Sequence, residues 1–181
     1  MTDITPKVRT AMIIMNGEKV LLGEIKSGAE KGTWMFPWHE IGFKDSYYKN
    51  IFTGLWEDVG FRCTNVFIPY SDRNRPIGVT NDIFSDEEEH YVTLFHRGVY
   101  TLGKSTIGSK NKGKYIRFDW FRFPDLGQYI DDSNTSFQNK EDKTHPIIPY
   151  PLSQSIKNLL QQGYNPFENL DIPETLKTKS C

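Results

Sequence analysis

In the stretch "GLWEDVGF", residues 54–61, Glu57 and Asp58 stand side by side ahead of a glycine. At 100° per residue, Asn50, Gly54, Glu57, Asp58 and Phe61 share one side of a helix, so the two carboxylates are expected to point together. Two carboxylates on one helical face can hold a hard cation such as Mg²⁺ through oxygen, the ion keeping several waters and taking the phosphates of a substrate. Such an ion neutralises charge on a pyrophosphate and can activate water. The ordinary alternative is solvated charge near a helix C-terminus, where the helix dipole mildly disfavours acids; on spacing alone it is the commoner case. Gly54 adds to the question, because a glycine inside a helix costs about 1 kcal/mol relative to alanine. It either admits something closely packed or marks a discarded side chain.

Imidazoles offer a second kind of chemistry. His39 follows Trp38 in "FPWHE", placing a titratable ring beside an aromatic wall. His90 and His96, six residues apart in one strand-like run, fall on the same face, yet two histidines without a third ligand make a poor metal site. The acidic run from Asp86 to Glu89 reads as a solvated turn. Aromatic residues are 14% of the chain, enough to fill a core with rings or to wall a pocket. Composition alone favours the core.

These residues need elements to position them. "VRTAMIIM", 8–15, and "KVLLGEI", 19–25, are strand-like runs separated by Asn16-Gly17, a hairpin signal. Pro37 in "WMFPW" argues against a central strand continuing there. From Ser46 to Val59 the apolar residues Tyr48, Ile51, Phe52, Leu55 and Val59 predict one helix with one buried face, capped by Asp45 or Ser46 and stopped by Gly60. "NVFIPY", "IGVTNDIF", "HYVTLFHRGVY" and "KYIRFDWFRF" read as strands. Residues 127–149 are polar and aperiodic, an exposed loop or a lid. Leu152, Ile156, Leu159 and Leu160 predict a second helix ending at Gly163, and the chain from Glu168 onward reads as a polar tail. This order of elements implies one α+β domain over 1–167, with helices packed on a mixed sheet.

At 181 residues the chain is sized for one domain with a substantial core. With 22 basic against 23 acidic residues there is no global attraction to nucleic-acid polymers or anionic membranes. Cys63 and Cys181 are too few and too far apart for a disulfide framework, and the apolar run Ala11 to Met15 is too short for a leader or a membrane span. A cytoplasmic protein with a small-molecule substrate is expected, an assembly that allows a homodimer.

The residues from His39 to Phe61, "HEIGFKDSYYKNIFTGLWEDVGF", resemble the Nudix box G-x5-E-x7-R-E-U-x-E-E-x-G-U when laid on Gly60 without a gap. "GTWMFP" (32–37), "TNDIFSDEEEHYVTLF" (80–95), "FDWFRFPDL" (118–126) and "LLQQGYNPF" (159–167) extend the resemblance to the MutT-like branch, which acts on nucleotides or isoprenyl diphosphates. The resemblance implies an α/β/α sandwich with a mixed sheet and a Mg²⁺-dependent diphosphatase. The box itself is degenerate. Its first glycine falls on His39, its early glutamate on Asp45, its arginine on Thr53, and its first helical glutamate, normally a metal ligand, on Gly54. Glu57 is retained, Asp58 replaces a glutamate, and "GSKNKGKYIRF", 108–118, lacks the acid usual before the Trp-rich strand.

Two functions follow. In the first, a diphosphatase uses an altered Mg²⁺ site at Glu57 and Asp58, helped by Asp45 or Glu40, with a pocket of Phe36, Trp38, Tyr91 and Phe95. In the second, the scaffold binds a small ligand or does metal-independent chemistry, with His39 as acid or base oriented by Glu40 or Asp58.

Overall fold

The computed structural model describes residues 5–86, 88–101, 113–130 and 151–173. The chain opens with the hairpin the sequence predicts: β1 (Lys7–Asn16) and β2 (Lys19–Ile25) pair antiparallel, closing at Asn16↔Lys19 with Gly17 at φ 59° in the turn. The Phe36-Pro37 step breaks the next extended run into β3 (Trp34–Met35) on β2 and β4 (Trp38–Glu40) on β1. β5 (Val66–Phe67), β6 (Gly78–Phe84) and β7 (Glu89–Tyr100) follow, and β8 (Tyr115–Arg122) pairs antiparallel with β2. β1 runs parallel to β7 from Lys7↔Tyr91 to Met15↔Val99, and β6 and β5 lie antiparallel to β7 on its other edge. The result is one mixed sheet of eight strands.

Alternation along β1 divides the core in two. Met12 and Ile14 face the first helix, α1 (Tyr47–Gly54), packing with Ile51, Leu55, Val59 and Phe61. Ala11, Ile13 and Met15 face the opposite way, toward Phe36, Phe95, Phe121, Ile156 and Leu159. After β8 comes the single turn α2 (Phe123–Leu126), and α3 (Gln154–Gln161) closes that second layer, capped by Ser153 and docked through Trp34 N to Pro151 O (2.8 Å) and Ser153 N to Trp34 O (2.9 Å). The architecture is therefore the α/β/α sandwich with a mixed sheet that the sequence implies. Among the described residues no helix is long and apolar enough to cross a membrane.

Three details depart from the sequence reading. The first helix does not stay α-helical to Val59: Leu55–Val59 is a π-turn in which Gly60 N reaches Leu55 O, five residues back. The start of the expected tail is held down, Arg97 Nη1 donating to Pro166 O (2.8 Å) and Glu168 O (2.6 Å) while Leu170 packs on the core. Of the expected loop 127–149, residues 127–129 form a 3₁₀ turn and 131–149 lie outside the described residues, as does Cys181.

Candidate functional site

The π-turn decides which acid enters the protein. A turn closed over five residues changes the phase of the helix, so Asp58 comes in over Gly54 and is fully buried while Glu57 turns out to solvent. The expectation that the two carboxylates point together assumed 100° per residue throughout, and the wider turn overturns it. Asp45 is not recruited either; it pairs with Lys49 Nζ at 2.5 Å, one turn along the outside of the helix. The predicted metal set of Glu57, Asp58 and Asp45 is thus not assembled, and among the described residues no three His, Cys, Asp or Glu side chains gather in a way that could hold an ion.

What gathers around Asp58 is cationic. Lys114 Nζ donates to Asp58 Oδ2 at 2.9 Å and to the Trp38 carbonyl at 2.8 Å, and it sits 4.1 Å from the centre of the Trp38 ring. His39 Nδ1 lies 3.3 Å from the same Oδ2. Asp58 Oδ1, equally buried, has no hydrogen-bond partner among the described residues. Burial pushes the Lys114 ammonium below its usual range, opposed by the Coulombic pull and hydrogen bond of Asp58. Burial likewise pushes the Tyr115 phenol well up; its oxygen accepts from Trp38 N at 2.9 Å and so helps fix β4 in place.

Gly54 is explained by His39. A Cβ built on residue 54 would stand 2.9 Å from the His39 Cβ, so the imidazole occupies the space a side chain at 54 would need. The histidine at 39 and the glycine at 54 are therefore sterically matched. The helix is held against the strands by Asn50, which accepts from Thr10 Oγ1 and donates from Nδ2 to Glu40 O at 2.6 Å. Between them, Thr10, Trp38, His39, Ile51 and Gly54 border a cavity of about 10 Å³, room for one water. Glu40, offered as a helper, is exposed on β4 and contributes its backbone.

The expected aromatic pocket is also filled from within. Phe36 and Phe95 are sealed in the core, edge to face at 6.2 Å, Phe95 from β7 and Phe36 from the break between β3 and β4, both packed in the layer that α3 closes. Trp38 and Tyr91 do approach each other, at 6.1 Å, but the flat guanidinium of Arg9 lies over both rings, 4.8 Å from one centroid and 4.4 Å from the other. Arg9 is in turn held by Glu30 Oε2 (2.7 Å), Thr93 Oγ1 (2.8 Å) and Ser155 Oγ (2.5 Å). The two remaining histidines do not meet as a metal pair: His90 Nε2 is 2.5 Å from Asn81 Oδ1 at the surface, while His96 is fully buried beside Asp72 and the Tyr47 ring.

The site fails the fit to magnesium on the chemistry of its donors. A lysine ammonium already stands on the buried carboxylate of Asp58, the neighbouring Glu57 faces solvent, and Gly54, one turn back, carries no side chain. Sequence reasoning missed Lys114, Arg9 and Asn50. The available signal for Lys114 was the acid-free run 108–118, where a cation replaces an expected anion.

No protein-family profile matches the chain. Solved structures do share its architecture: a MutT protein from Methanosarcina mazei Go1, with a TM-score of 0.60 and 13% identity over 90% of this chain and 95% of that one; a Nudix hydrolase from Nitrosomonas europaea, with a TM-score of 0.56 and 13% identity over 93% and 98%; and a Caenorhabditis elegans Ap4A hydrolase in a binary complex, with a TM-score of 0.52 and 8% identity over 67% and 84%. The chain has the Nudix fold, and at these identities the likeness is one of fold.

Proposed function

We propose that this Nudix-fold chain does not hydrolyse diphosphates through magnesium and that its working group is the His39–Asp58 pair, acting as acid or base on a small organic molecule. One observation carries the reading: Lys114 Nζ stands 2.9 Å from the oxygen of Asp58 that a metal would need. A carboxylate held by an ammonium can only accept, so the proton of a neutral His39 sits on Nδ1 and the lone pair on Nε2. The His39 side chain is 26% exposed and Nε2 makes no hydrogen bond among the described residues, which leaves that lone pair open to a proton on a substrate. Glu57 and Asp45, facing solvent, have no part in this chemistry. The shared fold with MutT and Ap4A hydrolase structures supports a small molecule as the substrate, as does the near balance of charge, a formal net of -1.

The reading is tested by incubating the protein with nucleoside and isoprenyl diphosphates, in Mg²⁺ and in EDTA, and measuring phosphate release. No Mg²⁺-dependent release is expected; release that needs Mg²⁺ and disappears in Glu57→Gln would establish the hydrolase instead. The pair itself is probed by diethyl pyrocarbonate with peptide mass analysis. His39 should be modified well before the buried His96, and Asp58→Asn should slow its modification severalfold. An unchanged rate in Asp58→Asn would remove the acid–base assignment.

A further inference from the structure

We infer that Lys114 is a built-in counter-ion that keeps divalent cations off Asp58, and that removing it alone opens a cation site formed by Asp58, His39 Nδ1 and the Trp38 carbonyl. The inference rests on the preceding reading in taking the native site to work without metal. Its basis is the geometry at Nζ. Two oxygens from separate elements, Asp58 Oδ2 on the π-turn and Trp38 O on β4, converge on that one atom at 2.9 and 2.8 Å. The rings of Trp38 and Tyr115 stand beside it at 4.1 and 5.9 Å. His39 Nδ1 comes within 3.3 Å of the shared oxygen, and Asp58 Oδ1 has no partner among the described residues. Once the ammonium is gone and the His39 proton has moved from Nδ1 to Nε2, carboxylate, carbonyl and imidazole donors around a buried point suit a divalent cation such as Mn²⁺, with waters filling its remaining positions.

The two departures from a metal-binding arrangement differ in kind. His39 filling the space over Gly54 removes one carboxylate by sterics. Lys114 places a unit positive charge on the carboxylate that remains. Only the second repels an incoming cation, because like charges sharing one partner in a low-dielectric site compete directly for it. Deleting the ammonium also leaves a buried carboxylate uncompensated, a state that favours uptake of any available cation. Lys114→Ala takes away both the charge and the stem, making room for a hydrated ion, whereas restoring a glutamate at 54 in the presence of Lys114 would not lift the exclusion.

The test uses the full chain with MnCl2 as probe, read by thermal unfolding and by loss of the free Mn²⁺ electron paramagnetic resonance signal. The native protein should show neither a Tm shift nor Mn²⁺ uptake. Lys114→Ala should take up one Mn²⁺ and gain ~5 °C in Tm at saturation, reversed by EDTA, and Lys114→Ala with Asp58→Asn should lose both effects. If Lys114→Ala cannot be purified, Lys114→Gln, which keeps a donor for the Trp38 carbonyl, goes through the same titration. Absence of uptake in the variant, or equal uptake by the native protein, overturns the inference. Mg²⁺-dependent phosphate release by the native protein would instead strike the functional reading, so the two failures are separable.

Discussion

Arg9 and Asp58 are both fully buried ions, served by opposite faces of the same stretch of sheet, and they are treated differently. Arg9 lies toward α3, where its guanidinium reaches Glu30, Thr93 and Ser155, and Asp82 collects Thr80, Thr93, Ser155 and Asn158 behind it. This network ties β1, β6, β7 and α3 together. Asp58 lies toward α1, and among the described residues it has two donors crowded on Oδ2 and none on Oδ1. A buried network with nearly every member satisfied rigidifies a fold, whereas a carboxylate left half-satisfied is a place where the chain gives up stability for something else. The first region is framework and the second is the site.

The sharpest way to break this comparison is to remove each ion. Arg9→Met should cost about 3–5 kcal/mol in chemical denaturation, because Glu30 and Asp82 would be left as uncompensated buried charges. Asp58→Asn should cost less, about 1–3 kcal/mol, since only one of its oxygens is engaged and an amide can still accept there. A larger loss at Asp58 than at Arg9 would reverse the two roles. Next in size, Gly54→Ala should destabilise by about 1–3 kcal/mol, since the new methyl meets the His39 Cβ at 2.9 Å. In a His39→Gly background that penalty should largely vanish, giving a coupling of more than about 0.5 kcal/mol; independent effects would mean the two positions did not change together.

A smaller effect separates the site from the rest of its face. His96 points to the same side of the sheet as Asp58, against the Tyr47 ring, and burial pushes its imidazole below the usual 6.5. Its folded pKa is therefore lower than its unfolded one, the unfolded chain binds more protons in the interval between them, and stability rises with pH there. The contribution is fully present above about pH 6.5 and is lost as the pH falls below it. Denaturation midpoints measured from pH 7.5 down to 5 should fall, and His96→Phe should flatten that decline. An unchanged slope would place the acid sensitivity elsewhere, and at the other extreme of effect Glu57→Gln, an exposed position, should leave stability within about 0.5 kcal/mol.

Much of the framework was legible because it rests on periodicity and turn chemistry. Asn16-Gly17 announced the hairpin, Pro37 the break between β3 and β4, and Ile156 and Leu159 the buried face of α3, while Leu152 falls just before it in a bridge to Trp34. The resemblance to the Nudix family anticipated the fold, while His39 lies on β4, Gly54 at the end of α1 and Asp58 in the π-turn. Its failure at Glu57 has a local cause: a turn of i to i+5 leaves no mark in apolar spacing, so the phase of the helix after Leu55 could not be read. Lys114 was hidden for another reason, being 56 residues from Asp58 and brought to it by β8 pairing with β2. Phe36 and Phe95 look like pocket wall in a list of aromatics; only the register of Phe95 beside Ala11 and the inward break at Phe36-Pro37 make them core. Arg9 was invisible as a buried cation because its partners come from four separate segments.

The central claim is that the cation on Asp58 belongs to the chain itself, and it is tested most directly by calorimetric titration of Mg²⁺ into the native protein at neutral pH. No saturable heat is expected up to millimolar Mg²⁺, in native protein and in Asp58→Asn alike. A single saturable site in the native protein that is lost in Asp58→Asn would contradict it, because magnesium would then displace Lys114 from the one buried carboxylate the site contains.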